Sequence, residues 1–152
     1  MKCLVVYYSE TGNTEKVANT VAEVLNVKPA RVEKARIKED YDLLIVGSPV
    51  HAGKPSKKII EFLDKIPKNR VRFGAAFCTM HFIGGKRTCN FIANKMQEKG
   101  IEYLDGFWCK GRSRLIGSIG PRVFQKTRPN KKDLKQAKEF TEIIESKVES
   151  GF

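Results

Sequence analysis

Short unbroken apolar runs alternate along this chain with longer stretches in which apolar residues recur every three or four positions. The first pattern suits strands buried on both faces, and the second suits helices with one buried stripe. Lys2–Tyr8, Asp42–Ser48, Val71–Met80 and Glu102–Gly111 are runs of the first kind, while Ala30–Ile37 alternates weakly and predicts a short strand nearer an edge. Between the strands, Val17, Ala18, Val21, Ala22 and Leu25 form one helical stripe. Ile59, Ile60, Leu63 and Ile66 mark a second helix, with Pro55 near its first turn. A third helix is predicted from about Lys86 to Lys99, where Gly100 suits its end. The clearest helix is Asn130–Val148, which Asn130 can cap and in which Leu134, Ala137, Phe140, Ile144 and Val148 share a face.

Five strands alternating with four helices predict one α/β domain over residues 1–152, with a doubly wound, mostly parallel sheet. Right-handed crossovers place helices on both of its faces. Arg112–Pro129 stands apart, being long, basic and aperiodic. Connections of that length are usually functional or mobile.

Composition changes this picture little. At 41% apolar the chain can build a core, and its longest apolar run is too short to span a membrane. The N-terminus reaches Glu10 without a cleavage-site pattern, which fits a first strand and a cytoplasmic protein. Cys3, Cys78, Cys89 and Cys109 show no CxxC or zinc spacing, so they are expected to be core thiols in a reducing compartment. The net charge of +12 speaks to partners rather than fold.

The first strand is followed by "SETGNT", Ser9–Thr14, at the start of the first helix. Ligands of open parallel sheets bind beyond the carboxyl ends of the strands. The first N–H groups of a helix lack internal partners, and its dipole favours negative charge there. Adding the hydroxyls of Ser9, Thr11 and Thr14, the Asn13 amide and backbone freed by Gly12 gives a cup for a dianionic phosphate without a lysine or arginine in the loop. Neither GxxxxGK[ST] nor GxGxxG is present. Helix capping alone needs fewer donors.

"VVYYSETGNTEKVA" resembles the N-terminal signature of flavodoxins, whose loop [ST]-x-T-G-x-T holds the 5′-phosphate of FMN. Ser9, Thr11, Gly12 and Thr14 match that form, with Glu10 and Asn13 at its free positions. "DLLIVGSPVHAGKPSKKIIEFLDKI" and "AAFCTMHFIGGKRTCNFIANKMQEKG" resemble the strands, flavin-flanking loops and helices that follow, and "NKKDLKQAKEFTEII" resembles the terminal helix. The resemblance implies a flavodoxin-like three-layer α/β/α sandwich with a five-stranded parallel sheet in the order 2-1-3-4-5. It also implies an FMN ring held between two loops. The first draws on Ser48, Pro49, Val50, His51, Ala52 and Gly53, and the second on Thr79, Met80, His81, Phe82, Gly84 and Gly85. Gly53, Gly84 and Gly85 are expected to let backbone approach the ring edge.

His51 stands where many relatives carry an aromatic. A histidine wall and the positive charge together imply a reduction potential less negative than that of an acidic flavodoxin. Lys54, Lys57, Lys58, Lys86 and Arg87 flank the loops, and Arg112, Arg114, Arg122, Lys126 and Arg128 crowd the long basic segment. Such a rim steers an acidic redox protein or NAD(P)H. Three functions are therefore weighed. The first is an FMN electron carrier, with no residue assigned a catalytic role and no metal. The second is an FMN-dependent NAD(P)H- or quinone-linked oxidoreductase with Arg112–Pro129 as a lid. The third is a flavin-free nucleic-acid-binding module, which the scarcity of aromatics in the basic segment disfavours. The stretch Leu115–Gly120 is a candidate contact with a neighbouring subunit.

Overall fold

The central run of each predicted strand is apolar on both sides because each central strand is covered twice. The computed structural model describes residues 1–111 and 128–151. Its elements in chain order are β1 (Cys3–Tyr7), α1 (Asn13–Val24), β2 (Ala30–Arg31), β3 (Tyr41–Pro49), α2 (Lys57–Asp64), β4 (Val71–Met80), α3 (Gly85–Glu98), β5 (Glu102–Lys110) and α4 (Lys131–Glu149). All four strand pairings are parallel, in the order β2-β1-β3-β4-β5. This is the expected flavodoxin-like α/β architecture. Arg112, Arg114, Arg122, Lys126, the apolar stretch Leu115–Gly120 and most of the proposed lid lie outside the described residues.

Alternation along the strands sorts side chains into two layers. Val5, Tyr7, Leu43, Ile45, Phe73, Ala75 and Phe77 pack with α1 and α4. Val6, Leu44, Val46, Ala76 and Cys78 pack with α2 and α3. Between β4 and β5 the register shifts at Gly74/Ala75, where Gly74 pairs with Tyr103 and Ala75 with Asp105. Leu104 is the extra residue; it packs with the layer of α1 and α4, and Tyr103 with that of α2 and α3.

Three expectations need correction. The Ala30–Ile37 strand shrinks to Ala30–Arg31, because Lys34 N–H bonds Arg31 C=O and Ala35 N–H bonds Val32 C=O in consecutive turns. The stripe of α2 is Ile59, Phe62, Leu63 and Ile66, which is i, i+3, i+4, i+7 spacing, and Ile60 beside it is only half-buried. Pro55 precedes the helix, whose cap is Ser56: its hydroxyl oxygen accepts from Lys58 N–H at 3.2 Å. The predicted end of α4 holds well. Asn130 Oδ1 accepts from Asp133 N–H at 2.9 Å and Asp133 returns the bond to Asn130 N–H at 2.8 Å, a reciprocal capping box. Arg128 braces the same carboxylate at 2.8 Å.

Gly47 is fixed by packing. It pairs with Phe77 on β4, and a β-carbon there would come within 2.0 Å of the Phe77 ring. Gly47→Ala is expected to lose about 1–3 kcal/mol of stability, the usual cost of overpacking a close-packed core, with chemical denaturation as the measurement.

Candidate functional site

The parallel register brings the carboxyl ends of β1, β3 and β4 side by side, since Tyr7 pairs with Gly47 and Pro49 with Thr79. Three segments leave these ends and meet. The first is the Ser9–Gly12 loop, which opens α1. Gly12 adopts φ +92°, a left-handed conformation that favours glycine, with open space where a β-carbon would stand. Ser9 is buried beneath the loop, and its Oγ accepts from Gly12 N–H at 3.1 Å and from Glu15 N–H at 3.3 Å. With both lone pairs engaged, the Ser9 hydroxyl keeps its proton to donate.

The second segment, between β3 and α2, holds a tight turn at His51–Lys54. His51 and Lys54 exchange two backbone hydrogen bonds of 2.8 and 3.0 Å, with Ala52 at φ +52° and Gly53 at φ +76°. Positive φ at both central residues matches the type I′ turn, and a non-glycine residue such as Ala52 adopts it with strain. Ser48 anchors this segment by donating to Pro49 C=O and accepting from Ser56 N–H, both at 2.8 Å. The third segment runs from Thr79 to Gly84, ahead of α3. Val50 N–H bonds Thr79 C=O at 2.9 Å, joining the second and third segments.

One buried contact connects the first segment to the third. Thr14 Oγ1 and Thr79 Oγ1 lie 2.8 Å apart. Two hydroxyls carry two protons and spend one on each other, so the pair retains one donor for a ligand. Around it a narrow cavity of about 60 Å³ is lined by Glu10, Thr11, Asn13, Thr14, Pro49, His51, Thr79, Met80, His81 and Gly111. A wider cavity of about 370 Å³ lies between the second and third segments, against Val50, Ala52, Gly53, His81, Phe82, Ile83, Gly84 and Arg87. His81 lines both.

These shapes fit an elongated ligand with a small polar end and a broad apolar end. The donors fit an anion at the narrow end: the α1 N-terminus and the Thr14–Thr79 hydroxyl pair. Among the described residues the one carboxylate in the lining, Glu10, is drawn aside, with Oε1 3.5 Å from His51 Nε2 and 3.5 Å from the Tyr8 hydroxyl.

Of the residues expected at the site, nine line the narrow cavity and six the wide one, with His81 in both. Ser9, Gly12, Ser48 and Gly85 line neither and instead shape the loops. Gly84 is where the two walls touch: a β-carbon there would sit 2.9 Å from Val50 Cγ1 and 3.4 Å from Gly53 Cα. Gly85 is held against Trp108, 2.5 Å from where its β-carbon would be. Phe82 is no core anchor, since it is 60% exposed and its neighbour Ile83 is 84% exposed.

Sequence reasoning missed Arg31. It stands opposite Tyr7 on β2, its guanidinium donates to Ser9 C=O at 3.2 Å, and it lies over the Tyr7 ring at 5.7 Å. The Tyr7 hydroxyl donates to Glu15 at 3.3 Å, and burial, then the Glu15 carboxylate, push that phenol above its usual range. A cation therefore braces the loop through its backbone, although among the described residues Arg87 at the far wall is the one lysine or arginine in the cavity linings.

A profile of the flavodoxin domain matches residues 4–117, and the chain belongs to that family. FMN is the family's cofactor and, with the cup and walls described, the cofactor of this chain. The chain is 38% identical over 154 residues to an uncharacterized protein of Methanocaldococcus jannaschii, covering 95% of this chain and 98% of that one. Among solved structures it is similar to a flavodoxin from the domain Archaea, with TM-score 0.74, 23% identity, and 98% and 99% of the two chains covered. It is also similar to rubredoxin:oxygen oxidoreductase of Desulfovibrio gigas, with TM-score 0.73 and 21% identity over 98% of this chain but 36% of that one. At these identities the two structures speak to fold.

Thr79→Val removes one hydroxyl and keeps the shape, leaving Thr14 buried without its partner. The expected result is a loss of about 1–3 kcal/mol in denaturant unfolding, accompanied by weaker FMN binding, with Thr79→Ser close to wild type in both.

Proposed function

We propose that this chain is an FMN electron carrier whose partner is an acidic redox protein, docking on the outer face of the two ring-flanking loops. The observation that carries the reading is the third segment's tip. Phe82 and Ile83 are exposed to 60% and 84%, and Lys54, Lys86, Arg87 and Lys110 are exposed around them. Monomeric surfaces seldom leave large apolar side chains together at a tip, and an apolar centre with a charged rim is how transient partners recognise each other. The basic rim selects a partner of opposite sign and speeds encounter.

FMN supplies one- and two-electron chemistry when bound. The chain's own part is to hold the phosphate end on the α1 N-terminus and hydroxyls, to wall the ring, and to leave one face open for exchange. His81, which lines both cavities, and the surrounding positive charge favour a reduction potential less negative than that of an acidic flavodoxin, while His51 lines only the narrow end. The four free thiols fit a reducing compartment, which we take to be the cytoplasm. No helix among the described residues is long and apolar enough to cross a membrane.

The purified protein is expected to bind one FMN with quenched flavin fluorescence and to exchange electrons rapidly with an acidic ferredoxin-type donor. Raising ionic strength should slow that exchange at least tenfold, because surface charges are screened beyond about 8 Å at 0.15 M salt. Reversing Lys54 and Lys86, which line neither cavity, to glutamate should slow it similarly at low salt while leaving FMN affinity unchanged. Steady turnover of NAD(P)H or a quinone by the purified protein would move the assignment to an oxidoreductase, and failure to bind FMN would end the carrier reading. Spectroelectrochemical titration checks the potential, and a value as low as that of acidic flavodoxins counts against the histidine-wall argument.

A further inference from the structure

Two of the four thiols are neighbours. Cys78 Sγ and Cys89 Sγ lie 3.2 Å apart, closer than two sulfurs rest in ordinary van der Waals contact, and both residues are 1% exposed. Cys78 is near the end of β4 and Cys89 is in the second turn of α3. The eleven positions separating them span the whole third segment of the site, so the pair stands at the two ends of the second ring-flanking loop. Gly106 makes room for it: a β-carbon there would lie 2.9 Å from Cys89 Cβ and 3.1 Å from its sulfur. Cys3 and Cys109 pack in the opposite core layer, so the sheet stands between them and this pair.

We propose that Cys78 and Cys89 form a second, two-electron redox site, a dithiol that closes to a disulfide across the base of that loop. With a low-molecular-weight disulfide as oxidant the step balances. Both S–H bonds break and one S–S bond forms between Cys78 and Cys89. The two electrons cleave the oxidant's S–S bond, and its two thiols take up the two protons. A disulfide holds its sulfurs about 2.05 Å apart, so closure needs an approach of roughly 1 Å between α3 and β4. The flavin is not required, and the inference goes beyond the carrier reading. Burial, and after it the neighbouring Cys89, keep the Cys78 thiol well above its ordinary value, so exchange is slow and the reduced pair persists until an oxidant prevails.

The test equilibrates the intact protein with mixtures of glutathione and glutathione disulfide, then blocks free thiols in denaturant for intact-mass and peptide mapping. The expected count of blocked thiols falls from four to two as the mixture becomes oxidising, with Cys78 and Cys89 in one linked peptide, and returns on reduction. The oxidised protein should melt about 5 °C higher, since the bond closes a short loop in the unfolded chain. Cys78→Ala and Cys89→Ala should each keep all three remaining thiols throughout. Four blocked thiols in the most oxidising mixture, or a link through Cys3 or Cys109, would overturn the proposal. Should the alanine variants fail to fold, the wild-type map decides alone. FMN binding measured on both forms keeps the questions apart, because a colourless protein that still forms the link retains this site and loses only the flavin one.

Discussion

A single buried hydroxyl pair holds the site's polar end in shape. Thr14 is the second residue of α1 and Thr79 is next to last in β4, and their oxygens meet at 2.8 Å. Neither hydroxyl reaches water well, with Thr14 2% and Thr79 5% exposed, so each depends on the other. Separating them would leave two buried polar groups unpaired and would free the phosphate loop from the second ring-flanking loop. The parallel register sets this meeting, and Val50 N–H on Thr79 C=O extends it to the first ring-flanking loop. One residue, Thr79, thus touches all three segments that the cofactor needs.

That dependence explains which parts of the architecture the sequence made legible. The unbroken apolar runs of β1, β3 and β4 stated that both faces are covered, and the SETGNT loop stated that an anion belongs at the end of the first. Both are local signals. What escaped is long-range and set by register. Arg31 supports the Ser9 carbonyl only because β2 pairs beside β1, and the weak alternation of Ala30–Ile37 gives no sign of that alignment. Ile60 misled for a related reason. It is apolar, yet it falls between the i, i+3, i+4 positions, and Phe62 takes the buried place. Cys78, Cys89 and Cys109 are buried as expected and Cys3 is half-buried, but their layers and the 3.2 Å contact depend on which side of the sheet each strand position faces.

The glycines divide in the same way. Gly12 is conformational: its φ of +92° and the empty space beside it belong to the loop's own geometry, as its place in the motif announces. Gly84, at φ +102°, is both conformational and tertiary, and Gly85 is tertiary. Their β-carbons would strike Val50 and Trp108, so they let the two wall loops and β5 close on one another. The walls therefore meet at their base and part toward solvent. This is the shape wanted for a flat ring that must be gripped at one end and exposed at the other.

Charge then acts on two scales. Close to the cavity, the field comes from fixed groups: the α1 N-terminus, Glu10 held by Tyr8 and facing His51, and Arg31 behind the loop. These bear on how tightly an anionic phosphate is held and are little affected by salt because they are short-range. Farther out, Lys54, Lys86 and Lys110 are exposed and line neither cavity, and their influence on an approaching protein fades beyond a Debye length. Apart from Arg87, which lines the wide cavity, cofactor retention and partner choice therefore rest on different residues. The outer set can change sign between relatives without disturbing the cup, so a basic chain can keep a phosphate loop of the same form as that of acidic flavodoxins.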